Sequence, residues 1–272
     1  MTTSDPLTLC RQHIDPQAQP VAADRGDDRT LRCMTPTAGG VFVKAHRHRS
    51  RYDRERRAYR RWVPTLAPHA PRLLGAIDNP PTLFLTTVAG VAVSSAELGL
   101  ADELTALAQA GTLLNAFHAA ESVRGTIDVA AWLAERGRAW LRLAEGVMSR
   151  RERNDIGAHL ALLEALDVGA AVPCHLDFTP QNMIFDRDQQ MLHIIDFEHA
   201  RFDLAARDLV RLTDRYFRDR PELAEAFFST YPPVSDLDRQ VIEHCTALDH
   251  LTASVRAAGL RLPDAEPIDS RW

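Results

Sequence analysis

Short apolar runs at 30–34 and 41–44 flank the turn-rich stretch "TPTAGG" and predict two strands joined by a turn. From 51 to 62 the period lengthens. Tyr52, Glu55, Tyr59 and Trp62 fall at spacings of three and four, which predicts a helix, and Pro64, Pro68 and Pro71 close it. The run "TLFLTTVAG" then reads as a strand ending at Gly90. Beyond it the pattern is helical. Leu104, Leu107, Gly111, Leu114 and His118 mark one helix, Trp132, Trp140, Leu143 and Val147 a second, and 151–166 a third. One island interrupts them at 172–197, where "MIF" and "LHIID" flank the turn "DRDQQ" and predict a β-hairpin. Helices return from Asp208, broken by Pro221 and "YPPVSD". The expected architecture is α+β. It has a strand-rich N-lobe over 1–90, a connector near Gly90, and a helical C-lobe over 91–272 that carries the hairpin at 172–197.

Composition narrows the function. The 272 residues are 45% hydrophobic and 25% charged, ordinary values for a soluble globular chain. A net charge of −5 argues against nucleic acid as a partner. No apolar run approaches the roughly 18 residues of a membrane span, and the N-terminus lacks the basic start and apolar core of a secretory signal. Cys10, Cys33, Cys174 and Cys245 are scattered with no CxxC pair, as expected of reduced thiols in the cytoplasm. Lys44 is the sole lysine among 32 lysines and arginines, at the end of the "VFVK" run and eleven residues before Glu55.

The candidate chemistry lies in "HLDFTPQNMIFDRDQQMLHIIDFEHARFDLAARDL". Asp177 and Asn182 stand five apart in a Pro-containing loop before a strand, and Asp196 ends the returning strand. An amide oxygen and a carboxylate are hard ligands that suit a Mg²⁺ ion also holding substrate phosphates. Asp177 is then available to orient a hydroxyl and accept its proton.

"HLDFTPQN" followed by "IDFE" resembles the H-x-D-x-x-x-x-N and I-D-F/W signature of the aminoglycoside phosphotransferase and choline kinase-like superfamily, relatives of protein kinases. The resemblance implies a two-lobed protein kinase-like fold. It implies Asp177 as catalytic base, Asn182 and Asp196 as metal ligands, and Lys44 on the α- and β-phosphates, held by Glu55. It also implies that His175 and Asp208 brace the catalytic loop from inside. "TLFLTTVAG" resembles the lobe-connecting hinge, where the Thr86 carbonyl and Val88 amide would meet a nucleobase. "LLNAFHA" and "DRPELAEAFFSTY" resemble helices of the larger lobe. The chain departs from the pattern in two places. Leu176 stands where a glycine commonly follows the histidine, and no G-x-G-x-x-G precedes Lys44, so the phosphate loop is expected at 22–29 with only Gly26.

The resemblance thus implies an enzyme that moves the γ-phosphoryl group of ATP or GTP to a hydroxyl of a small molecule with Mg²⁺ as cofactor. Eleven residues between Asp196 and Asp208 leave no room for a peptide-docking activation segment. The resemblance points to an antibiotic acceptor, an aminoglycoside or another sugar-bearing or nucleoside compound, and to resistance or self-protection. Two alternatives stand beside it: a metabolite kinase acting on choline, homoserine or a sugar, and a catalytically silent nucleotide-binding regulator. The eight arginines from Arg47 to Arg61 read as a solvated helix face, and Trp132 and Trp140 as core. Glu198, Asp203 and the acids of 214–249 read equally as the wall of a cationic acceptor's pocket or as ordinary surface acids.

Overall fold

The computed structural model describes residues 5–21, 29–124 and 128–262. The expected phosphate loop at 22–29 lies outside the described residues but for its last position. The elements in chain order are α1 (Pro6–His13), β1 (Gln19–Pro20), β2 (Thr30–Thr35), β3 (Gly39–Ala45), α2 (Arg49–Arg61), β4 (Leu73–Asp78), β5 (Pro81–Thr86) and β6 (Val91–Ala92). They continue with α3 (Leu100–Ala119), α4 (Val129–Leu143), α5 (Arg150–Glu164), β7 (Val172–Cys174), β8 (Met183–Asp186), β9 (Met191–Ile194), β10 (Arg201–Asp203), α6 (Pro221–Phe228) and α7 (Asp236–Ala257). Two compact units result: Met1–Phe117 with Pro180–Ala200, and His118–Thr179 with Arg201–Trp272.

The first unit is built on an antiparallel sheet in the order β1-β2-β3-β5-β4. Strand alternation divides β3 between two faces. Val41 and Val43 join Leu9, Cys10, Cys33 and Phe84 in a core beneath α1, each large side chain contributing about 1.5–3 kcal/mol on burial. Lys44, of opposite parity, belongs to the other face. α2 buries Tyr52, Glu55, Ala58 and Tyr59. Tyr59 and Phe117 both pack on Phe197, with ring centroids 5.4 and 5.5 Å away. The hairpin β8–β9 belongs to this unit. β8 pairs with β6, and Gln109 of α3 takes the Leu192 N–H at 2.9 Å and donates to the Gln190 carbonyl at 2.8 Å.

The strand expected to run to Gly90 stops at Thr86. The last sheet bond is from Thr87 N to the Gly40 carbonyl at 3.1 Å, and the chain then leaves through Gly90, whose φ is +115°. A Cβ at Gly90 would lie 2.3 Å from the Phe185 carbonyl oxygen, so only glycine fits against the hairpin. The helix marked by Trp132 to Val147 ends at Leu143.

In the second unit α4, α5 and α7 pack together. α5 and α7 each open with a capping box, Ser149 with Glu152 and Ser235 with Asp238. β7 pairs with β10 through Cys174 and Arg201. Two tight turns, a 3₁₀ segment at Ala205–Leu209 and a π-helical one at Leu212–Tyr216, take the place of the continuous helix expected after Asp208. Trp140 is core as expected. Trp132 is only half-buried and carries the Arg201 guanidinium 5.4 Å from its ring centre. All four cysteines are free and buried.

Candidate active site

Lys44, next to last in β3, lies on the face turned to α2, so Glu55 of the second helical turn meets it. The Lys44 Nζ lies 2.9 Å from Glu55 Oε2, 2.6 Å from Asp196 Oδ1 and 3.3 Å from Glu198 Oε2. Burial alone would depress this ammonium's pKa. The three carboxylates outweigh it and hold the pKa above that of an ordinary lysine, so Lys44 is a permanent cation. Burial likewise pushes Glu198 up, but Lys44 and Arg51 bring it below the usual glutamate range.

Asn182 ends the short turn Pro180–Asn182 just before β8. Its carbonyl accepts from Ile195 N at 3.0 Å, which extends the hairpin ladder and brings the backbones at 182 and 196 to the same open end. Asp196 sits there with φ +66°, a left-handed conformation that Asp tolerates better than most residues and that aims its carboxylate at Lys44. The pair offers two oxygen donors of the hard type that Mg²⁺ takes, so the residues fit the ion. Thr86 pairs with Val41 at the end of β5, and Val88 lies two residues on, past the last sheet bond.

Asp177 belongs to the second unit, in the loop after β7. That loop hangs on Asp208. The Asp208 carboxylate is fully buried and accepts from His175 N at 2.8 Å, Leu176 N at 2.5 Å and His118 Nε2 at 3.0 Å. Burial works against its charge, but His118, His175 and the Leu176 amide bring its pKa below the ordinary aspartate value. Leu176 takes φ +61°. The position where the family pattern commonly has glycine is thus held in a left-handed conformation by a leucine, at a cost of roughly 1–2 kcal/mol. Asp177 itself accepts a hydrogen bond from Arg211 Nη1.

Two participants, His46 and Arg211, escaped the sequence reading, and Glu198 was read there only as an acceptor wall or a surface acid. His46, buried, places Nε2 3.1 Å from Glu55 Oε2, beside the carboxylate that holds Lys44. The signal was parity, since His46 stands two residues after Lys44 and so on the same face. Glu198 joins Lys44 and also takes Arg51 at 2.6 Å, while Arg54, buried, donates to the Glu198 carbonyl at 3.2 Å. Part of the arginine run is therefore an anchor for the "DFE" segment, which corrects its reading as a solvated face. Arg211, which holds Asp177, is the other that went unread. Of the acids weighed as an acceptor wall or as surface, three are firmly paired: Asp203 with Arg201 and Arg207, Asp214 with His250 and Arg218, and Asp249 with Arg211 and Arg215.

Comparison with known proteins identifies the family and the fold. The phosphotransferase enzyme family matches residues 18–241. No curated protein sequence matches. Among solved structures, an aminoglycoside phosphotransferase from Alicyclobacillus acidocaldarius is 18% identical with a TM-score of 0.62, over 90% of this chain and 84% of that one. A macrolide 2′-phosphotransferase from Brachybacterium faecium is 17% identical with a TM-score of 0.60, over 93% and 91%. An aminoglycoside 2′-phosphotransferase IIIa variant in its GDP complex is 14% identical with a TM-score of 0.65, over 92% and 89%. These likenesses show a protein kinase-like fold, strand-rich in its N-terminal part and helical in its C-terminal part.

Proposed function

The chain belongs to the phosphotransferase enzyme family, and we propose that it transfers the γ-phosphoryl group of ATP or GTP to a hydroxyl of a small-molecule antibiotic. The acceptor class is an aminoglycoside or another sugar-bearing or nucleoside compound. Support comes from the relatives by fold, which include aminoglycoside and macrolide phosphotransferases and one in a GDP complex. The observation that carries the reading is the convergence of Glu55 and Asp196, from a helix and a hairpin far apart in sequence, on the single lysine of the chain.

In this mechanism Lys44 neutralises phosphate oxygens, and a compact ammonium fits between them and Glu55 where a planar guanidinium would not. Glu55, buried beside His46, keeps the ammonium in place before substrate arrives, so little reorganisation is needed. Asn182 and Asp196 would hold Mg²⁺, which when bound supplies further neutralisation of the phosphates. Thr86 and Val88 would meet the nucleobase through their backbone groups. Asp177 orients the acceptor hydroxyl and takes its proton as the oxygen–phosphorus bond forms and the bond to the β-phosphate oxygen breaks. The products are a phosphate monoester and a nucleoside diphosphate. Catalysis is mostly placement and electrostatics.

The test is product identification. The protein is incubated with Mg²⁺, with ATP and separately with GTP, and with a panel of aminoglycosides, macrolides, nucleoside antibiotics, choline and homoserine. Phosphorus NMR and mass spectrometry then identify any phosphate ester. An antibiotic ester confirms the reading, whereas an ester of choline or homoserine alone replaces it with a metabolite kinase.

A further inference from the structure

The second unit carries an alternating chain of charge that starts at Asp177. Arg211 Nη1 donates to Asp177 Oδ1, and its Nε donates to Asp249 Oδ1 at 3.1 Å. Arg215 takes the other oxygen of Asp249 and reaches Asp214 Oδ2 at 3.8 Å. Asp214 is closed off by Arg218 and by His250 Nε2 at 2.8 Å. Burial would raise the Asp214 pKa, but His250 and Arg218 bring it below the ordinary value, so the carboxylate stays ionised.

Three carboxylates, Asp177, Asp214 and Asp249, thus meet three guanidiniums, Arg211, Arg215 and Arg218. The charges cancel link by link. A polycation arriving at Asp177 would gain an ammonium–carboxylate pair only by breaking a guanidinium–carboxylate pair. Arg fits carboxylates at least as well as an amine does, so the exchange gains nothing. The displaced guanidiniums would then repel the remaining amines.

We infer that the acceptor carries no more than one positive charge, because Arg211, Arg215 and Arg218 neutralise the carboxylate chain that runs from Asp177. Arg211 is accordingly a specificity residue. This rests on the phosphotransferase reading, and it narrows the acceptor to neutral or singly cationic compounds, such as nucleosides or monoamine macrolides, and away from polyamine aminoglycosides.

The experiment measures binding, which does not depend on turnover. Kanamycin, a polycationic probe, is titrated into the full-length protein, into Arg215→Ala, and into Arg211→Ala/Arg215→Ala, at low and high salt. Thermal melts check that each variant is folded. The wild type should bind no tighter than about millimolar. The double variant, with Asp249 uncovered, should bind at least about tenfold tighter at low salt, and the gain should vanish in high salt. Arg215→Ala, whose side chain is half exposed, should move the same way by less. Micromolar kanamycin binding by the wild type, or folded variants that gain nothing, would overturn the inference. Failure of the underlying reading looks different. No acceptor of any charge would then yield Asp177-dependent nucleoside diphosphate, whatever the binding titrations show.

Discussion

Replacing Asp208 with asparagine removes one charge and no volume, and the consequence can be worked from three hydrogen bonds. Oδ2 takes His175 N and His118 Nε2, while Oδ1 takes Leu176 N. An asparagine keeps its oxygen best toward His175 and His118, which turns its NH₂ onto the Leu176 N–H. That buried donor is left facing another donor, at about 1–3 kcal/mol. The two remaining bonds become neutral, each weaker by roughly 1 kcal/mol. The sum is about 3–5 kcal/mol, or a melting temperature lower by roughly 5–10 °C in a chain of this size. The loop held by Asp208 carries Asp177, so turnover should fall too. Nucleotide affinity should change little, because Lys44, Glu55 and Asp196 lie in the other unit. The pH dependence has a definite sign. The folded-state pKa of Asp208 lies below its ordinary 3.8, so its stabilisation is present above that value and is lost as pH falls through the folded one. Wild-type stability should drop in that acid range, and the Asn variant should respond less. Calorimetry of both proteins across pH measures this. A variant that melts within about 2 °C of wild type at neutral pH would refute the idea that Asp208 carries the loop.

Three further outcomes are expected from the geometry. Lys44→Arg should lower turnover on the order of a hundredfold despite keeping the charge, as steady-state kinetics would report, since the guanidinium cannot share the space between Glu55 and Asp196. Gly90→Ala should cost about 2–4 kcal/mol, visible in a thermal melt, because the Cβ meets the Phe185 carbonyl and φ is +115°. His46→Ala should raise the nucleotide KM by about fivefold in steady-state kinetics, because the ring packs 3.1 Å from the Glu55 carboxylate that positions Lys44.

The parts of this molecule legible in its sequence are those governed by short-range pattern. β2, β3, α2 and the hairpin arise directly from strand and helix periods, and Lys44 meets Glu55 as the family resemblance implied, whereas its contact with Asp196 went unread. α1 went unread although Asp5 and Pro6 form an N-cap and first turn of the usual kind. β4 was hidden because Gly75 and a shift in register interrupt its apolar run. The π turn after Asp208 has no pattern of its own, being shaped by packing and by the Arg211 and Asp214 pairings. What stayed out of reach in the site were the contacts of remote charges. Arg51 with Glu198 spans 147 positions and Arg211 with Asp177 spans 34, and neither spacing has a period to betray it.

The most direct test of the account concerns Asp177 as the group that takes the acceptor's proton. Asp177→Asn keeps the size of the side chain and removes its basicity. With the acceptor identified by the product panel, the account predicts that acceptor-dependent turnover falls by about a hundredfold to ten-thousandfold. The Kd for Mg²⁺-nucleotide, measured calorimetrically in parallel, should stay within about threefold of wild type. A variant that keeps more than about a tenth of wild-type turnover would contradict the assignment of Asp177 as base.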